Sequence, residues 1–419
     1  MPKELKIVIT LFVSGLVLGL IALILNNLPI SSYFQTPYGD SFSVFSFLRK
    51  PEKPSHIVYG YLPYWSLDNA KYIQLDRLTD ISYFGLTLDA NGTFRKVLDD
   101  GTAEPGYNTW KTSKELKKLI DNSKRHGVRF SVTIIAHEDD VSGEFLNCTP
   151  CWDTFITELE RELNSKNIRD VNLNFESSDL VDANTANKYT EFAKFVNEKL
   201  DAKYTNSFVV VATFADSLVK PRMTIIGDLA KYVDALFIMA YDFHQPTSDN
   251  AGPVAPIGGA GIYGEYDIQT MLKDYLTVAP PNKFILGVPY YGYNWVVVEN
   301  EPYATRIAGN DAIGYSQSQP YSFIMDTILE NNPKILWDDL AQVPYFTYIS
   351  PSTGSLRSVY FENADSLRTK YRLAKNSNML GVGIWALGYD GGYAELWNLL
   401  KEEFSVVVET GFEPVTPAM

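Results

Sequence analysis

Eight short runs of apolar and β-branched residues constrain the fold of this chain more than anything else in it. They are Ile57–Leu62, Ile81–Leu86, Phe130–Ile135, Val171–Phe175, Phe208–Thr213, Ala235–Ala240, Phe284–Pro289 and Val382–Ala386. Helical periodicity fills several of the intervals, at Lys114–His126, Trp152–Asn164, Ala186–Leu200, Ile268–Tyr275 and Ser366–Ala374. Strands apolar along most of their length, alternating with amphipathic helices, predict a parallel sheet covered by helices. Eight such units predict closure into a (β/α)8 barrel of the TIM type, an α/β fold. The barrel is expected to occupy residues 56–405.

The interval between Pro289 and Val382 is too long for a bare loop. Within it, Tyr303–Arg306, Ile335–Asp338, Tyr345–Ser350 and Ser358–Phe361 read as short strands. The expectation is a small α+β insertion between the last two barrel strands, over about 293–360.

The N-terminus carries a second strong signal. An uncharged run from Ile7 to Leu25 follows Lys3 and Lys6 and is interrupted only by Thr10, Ser14, Gly15 and Gly19. Its length suits a bilayer span, and the preceding lysines place Met1 in the cytoplasm. A cleaved signal peptide is the rival, but the run ends in Asn26-Asn27-Leu28-Pro29 with no small-residue cleavage site. We therefore read residues 1–28 as a retained single-pass transmembrane anchor, 29–55 as a stalk and 406–419 as a flexible tail. The barrel would then lie outside the cytoplasm. In such an oxidising space Cys148-Thr-Pro-Cys151 is expected to form a disulfide at a helix start.

Charge and ligand types exclude several function classes. The net charge of −14 disfavours binding to a phosphate backbone, so no nucleic-acid partner is expected. Four histidines and two cysteines form no H-E-x-x-H and no four-ligand set, so neither a metal site nor a cofactor is expected.

The fourth run reads Asp170-Val-Asn172-Leu-Asn174-Phe-Glu176. Strand side chains alternate faces, so Asn172, Asn174 and Glu176 share one face and Val171, Leu173 and Phe175 the other. The apolar set suits the helix layer. The polar set then points into the barrel and climbs toward its C-terminal mouth, where active sites of such barrels lie.

This segment resembles the D-x-D-x-E signature of glycoside hydrolase family 18, the chitinases and their relatives. Tyr59-Gly-Tyr61-Leu-Pro-Tyr64-Trp65 is similar to that family's first strand, and Met239-Ala-Tyr241-Asp242 to its sixth. Leu286-Gly-Val-Pro289-Tyr-Tyr-Gly292-Tyr is similar to the seventh, and Gly381-Val-Gly-Ile-Trp385-Ala-Leu-Gly388-Tyr-Asp390 to the eighth. The motif around Asn172 is nearest to bacterial spore-cortex-lytic glucosaminidases, which carry Asn at that place. The resemblance implies hydrolysis of β-linked N-acetylglucosamine polymers, of peptidoglycan or chitin type, by substrate-assisted retaining catalysis. Glu176 would be the acid and base, with Asn174 and Tyr241 beside it. Asn172, Asp242, Trp385, Tyr61, Met239 and Tyr291 would bind the sugar. Departures from the family bear on activity: Asn174 stands where it has a carboxylate, and Arg169, next to Asp170, stands where it has its most distant Asp. A glycan-binding barrel without turnover is the alternative that these departures leave open.

Overall fold

The computed structural model describes residues 54–177, 181–220 and 222–405. The expected anchor, almost all of the stalk and the tail lie outside them. Among the described residues no helix is long and apolar enough to cross a membrane.

The eight predicted runs are the eight staves of a closed parallel barrel. They are β1 (Ile57–Pro63), β2 (Asp80–Thr87), β3 (Arg129–Ala136), β4 (Asp170–Phe175), β5 (Val209–Phe214), β6 (Ala235–Met239), β7 (Phe284–Pro289) and, after the insertion, β13 (Gly381–Trp385). Chain neighbours pair in order around the ring, and β13 closes it by pairing with both β7 and β1.

Helices cover the outside as the periodicity predicts. The helix α2, after α1 (Pro105–Thr112), spans Lys114–His126. The Ser113 hydroxyl caps it by accepting from the Leu116 N–H, and Gly127, at φ 69°, ends it in the left-handed region. Next come α3 (Asp139–Asn147), α4 (Thr149–Lys166) and α5 (Ala183–Lys203). The Cys148–Cys151 disulfide sits where α3 gives way to α4. Phe192 of α5 gathers Phe145, Phe155 and Phe175 around it, with ring centroids 4.9, 5.1 and 5.6 Å away. Phe175 of β4 therefore faces the helices, as strand alternation requires. The remaining helices of the outer layer are α6 (Ile226–Tyr232), α7 (Ile268–Val278), α9 (Ala364–Asn376) and α10 (Glu395–Phe404).

The barrel interior is filled by side chains. The ring of Phe237, on β6, occupies space left by two glycines on β7 and β13. A Cβ built on Gly287 would come within 2.6 Å of that ring, and one on Gly383 within 1.9 Å. At the N-terminal end, Arg129 lies 2.7 Å from Asp170 and 3.7 Å from Asp80, both buried. Burial pushes the Asp80 carboxyl up to about 6, against the opposing pull of Thr79 and Arg129.

The insertion is an antiparallel sheet. It comprises β8 (Tyr291–Val296), β9 (Gln317–Pro320), β10 (Leu336–Asp338), β11 (Val343–Ile349) and β12 (Leu356–Tyr360) in the order β10-β11-β12-β8-β9. Helix α8 (Tyr321–Asn331) follows β9. The sheet starts at Tyr291, with only Tyr290 between it and the end of β7, so the seventh-strand motif spans two strands of different sheets. The expected strand at Tyr303–Arg306 is absent. Thr305 and Arg306 make only isolated bridges, to Asn250 and Val297. Strand β9, Gln-Ser-Gln-Pro, was illegible because it is a polar edge strand with no apolar face.

Candidate active site

At the C-terminal mouth, β4 delivers its inward face as a ladder of depth. Asn172 is completely buried and does not reach the cavity. Its expected contact with sugar is not what the structure provides: it fills the barrel below Asn174, near the Tyr61 hydroxyl. Asn174 lies one step higher and lines the cavity. Glu176 stands just past the strand, its main-chain N–H donating to the Ala136 carbonyl at 3.0 Å. Its side chain is 29% exposed, so the carboxyl faces the open cavity while β3 still holds its backbone.

Strand β3 supplies a group that the sequence reading missed. Ile135 is in register with Asn174 and Ala136 with Phe175, so His137 emerges beside Glu176. Its Nε2 lies 2.9 Å from Asn174 Oδ1 and 3.4 Å from Glu176 Oε1. The signal was present: His137 continues the inward series Thr133, Ile135 by the same two-residue step that placed Glu176.

The floor is aromatic. Trp385, ending β13, packs 4.8 Å from Phe84 and 5.5 Å from Tyr61, ring centroid to centroid. Trp65 rises at the rim, 50% exposed, and its Nε1 donates to the Tyr389 hydroxyl at 3.2 Å. Met239 and Tyr61 also line the cavity, as expected.

The opposite wall comes from the turn after β6. Asp242 has φ 61°, a left-handed conformation that a non-glycine residue adopts only where its surroundings hold it. The hydroxyls of Tyr291 and Tyr293 both donate to Asp242 Oδ1, Tyr293 at 2.6 Å. Tyr291 is therefore behind Asp242 rather than on the cavity surface, where the sequence reading had put it. Burial raises the Asp242 carboxyl above its ordinary range, and the two phenols work against that rise. Tyr241 is held far above the usual phenol range, chiefly by burial and then by the nearby Asp242 and Glu176 charges. It is thus a hydrogen-bond donor throughout the useful pH range.

The whole cavity measures about 790 Å³. Its far end is charged: Lys220 lies 3.1 Å from Asp216, and Arg222 pairs with the same carboxylate while lying over the Phe214 ring. Among the described residues no group of three His, Cys, Asp or Glu side chains could hold a metal ion.

A closed β/α barrel carrying a partly exposed carboxylic acid at its C-terminal rim, above an aromatic floor, defines a barrel glycosidase. The chain belongs to glycosyl hydrolases family 18, whose model matches residues 32–390. It is 25% identical over 370 residues to the putative sporulation-specific glycosylase YdhD of Bacillus subtilis, covering 86% of this chain and 74% of that protein. It is 32% identical over 181 residues to the cortical fragment-lytic enzyme of Bacillus subtilis, a match spanning 42% of this chain and 36% of that enzyme. The fold is shared with the Bacillus cereus spore cortex-lytic enzyme SleL (TM-score 0.65, 21% identity, 84% of this chain and 75% of that one). An Ostrinia furnacalis Group IV chitinase also shares it (TM-score 0.70, 19% identity, 83% and 99%).

Proposed function

We propose that this glycosidase cleaves β-linked N-acetylglucosamine polymers, of the peptidoglycan or chitin type, with Glu176 as acid and then base. The observation that carries the reading is the Glu176 carboxyl, partly exposed in the same cavity as Tyr241, Asp242 and Trp385. Glu176 would protonate the glycosidic oxygen as the substrate's own 2-acetamido oxygen attacks the anomeric carbon. The leaving sugar departs with that proton. Water, deprotonated by the Glu176 carboxylate, then opens the cyclic intermediate with net retention. The Tyr241 phenol would donate to the acetamido oxygen, and Trp385 would take the apolar face of the ring.

Incubating the protein with chitooligosaccharides and with peptidoglycan fragments tests this. The expected outcome is cleavage by the wild type and a loss of about 10²- to 10⁴-fold in Glu176→Gln. No cleavage of any such substrate by the wild type would overturn it.

One observation favours a second reading. Asn174 brings no negative charge to the developing cation of the intermediate, which weakens stabilisation there. A glycan-binding barrel without turnover would bind oligomers equally well as wild type and Glu176→Gln, and cleave none.

For placement, the lysine-led run from Ile7 to Leu25 supports a retained anchor with the barrel outside the cytoplasm. Full-length protein should then sediment with membranes, and a version beginning after residue 28 should not. Full-length protein recovered free of membranes would end that proposal.

A further inference from the structure

We propose that His137 is a positioning residue of this site, fixing which edge of the Asn174 amide a bound sugar meets. The inference rests on the glycosidase reading above and concerns a residue outside the motifs that led to it.

The geometry is specific. One ring nitrogen, Nε2, lies 2.9 Å from Asn174 Oδ1 and 3.4 Å from Glu176 Oε1. A carboxamide has two unlike ends, an oxygen that only accepts and a nitrogen that only donates. With Oδ1 turned to Nε2, the imidazole must carry its proton on Nε2, and it donates. Asn174 lines the cavity, so its Nδ2 is the end left for a ligand. Were His137 in its other neutral tautomer, the same nitrogen would accept from Nδ2 and Oδ1 would turn outward. The tautomer of His137 thus decides whether position 174 offers the acetamido group a donor or an acceptor. A carboxylate at this place would need no such control, since both of its oxygens accept.

Backbone register brings the two side chains to the same place. β3 and β4 pair along Ser131–Ala136 and Asp170–Phe175, and Glu176 N–H donates to Ala136. His137 and Glu176 are therefore carried to the rim by the same ladder. Phe84 flanks the imidazole at 6.2 Å between ring centroids.

Kinetics of His137→Ala and His137→Gln on a fluorogenic chitobioside, with ¹⁵N-imidazole NMR of the intact protein, test the proposal. Gln places an amide nitrogen about where Nε2 stands, so it keeps a donor without a titrating ring. His137→Ala should lower kcat by about 10- to 100-fold with little change in KM, because the acid and amide lose alignment in the reacting complex. His137→Gln should recover most of that loss. The Nε2 resonance of His137 should report a protonated nitrogen in the wild type and shift in Asn174→Ala. If the wild type cleaves and His137→Ala retains its kcat, or His137→Gln is no better than Ala, the positioning role is overturned while the glycosidase stands. If the wild type cleaves nothing, the glycosidase reading fails. The NMR then decides alone: an Nε2 signal indifferent to Asn174→Ala overturns the contact, and a shifted one upholds it for a bound sugar.

Discussion

The Tyr293 hydroxyl donates to Asp242 Oδ1 at 2.6 Å, across a boundary between two sheets. Asp242 belongs to the turn after barrel strand β6, and Tyr293 to β8, the first strand of the inserted sheet. Both phenols on Asp242 favour its ionised form, since an O–H donates more strongly to a carboxylate than to the neutral acid. Removing one of them should therefore raise a carboxyl that burial already raises. We expect Tyr293→Phe to shift the Asp242 titration upward in carboxyl-carbon NMR and to cut kcat/KM by up to about tenfold. A titration that stays put would show that this bond carries no charge stabilisation.

Trp385 is expected to dominate sugar affinity. In a Glu176→Gln background, which isolates binding from turnover, Trp385→Ala should weaken oligosaccharide binding by about 2 kcal/mol, a roughly thirtyfold rise in Kd. Calorimetric titration with an N-acetylglucosamine oligomer gives the number. An unchanged Kd would mean that the ring serves packing against Phe84 and Tyr61 alone.

The opposite end of the barrel predicts a pH effect on stability. Asp80 is raised to about 6 in the folded protein from an ordinary value of 3.8. A carboxyl raised on folding contributes stability that is complete below its unfolded pKa and is lost as pH rises through the folded one. The stability of wild type minus that of Asp80→Asn should therefore fall between about pH 4 and pH 7, by at most about 3 kcal/mol. Urea unfolding of both proteins across that range measures it, and a flat difference would refute it.

Glu362 and Lys370 form a fully buried ion pair at 2.8 Å, at the junction of the inserted sheet and α9. Lys370→Met alone strands a buried carboxylate and should cost about 3–5 kcal/mol. The double variant Glu362→Gln, Lys370→Met should recover much of that loss in thermal unfolding. Equal losses in single and double variants would argue against the stranded charge as the cause.

Gly383→Ala would place its Cβ 1.9 Å from the Phe237 ring and must displace it. We expect about 1–3 kcal/mol of destabilisation, partly relieved by Phe237→Leu. Failure of the second substitution to help would locate the strain elsewhere.

Elements with a regular apolar period were legible in the sequence. All eight staves and the span of α2 follow from the apolar runs and the helical period between them. Alternation placed Asn174 and Glu176, and the family resemblance supplied Tyr241 and Trp385; all four line one cavity. What escaped was whatever depended on contacts distant in sequence. Alternation placed Asn172 and Glu176 on one face but could not tell how deep the cavity cuts, so Asn172 proved to be below its floor. Tyr291 was seen as a motif residue, but its partner, Asp242, lies in another loop. His137 was within reach, yet a single histidine after an apolar run carries no pattern until strand register sets it against Glu176.

The close succession of β7 and β8 has a consequence for anyone who would transplant this site. With only Tyr290 between them, barrel and insert are not interchangeable modules. A minimal version trimmed to its eight staves would keep the Glu176 carboxyl at the rim but lose both phenols that hold Asp242. Such a graft would inherit the acid without the brace that governs the charge facing it.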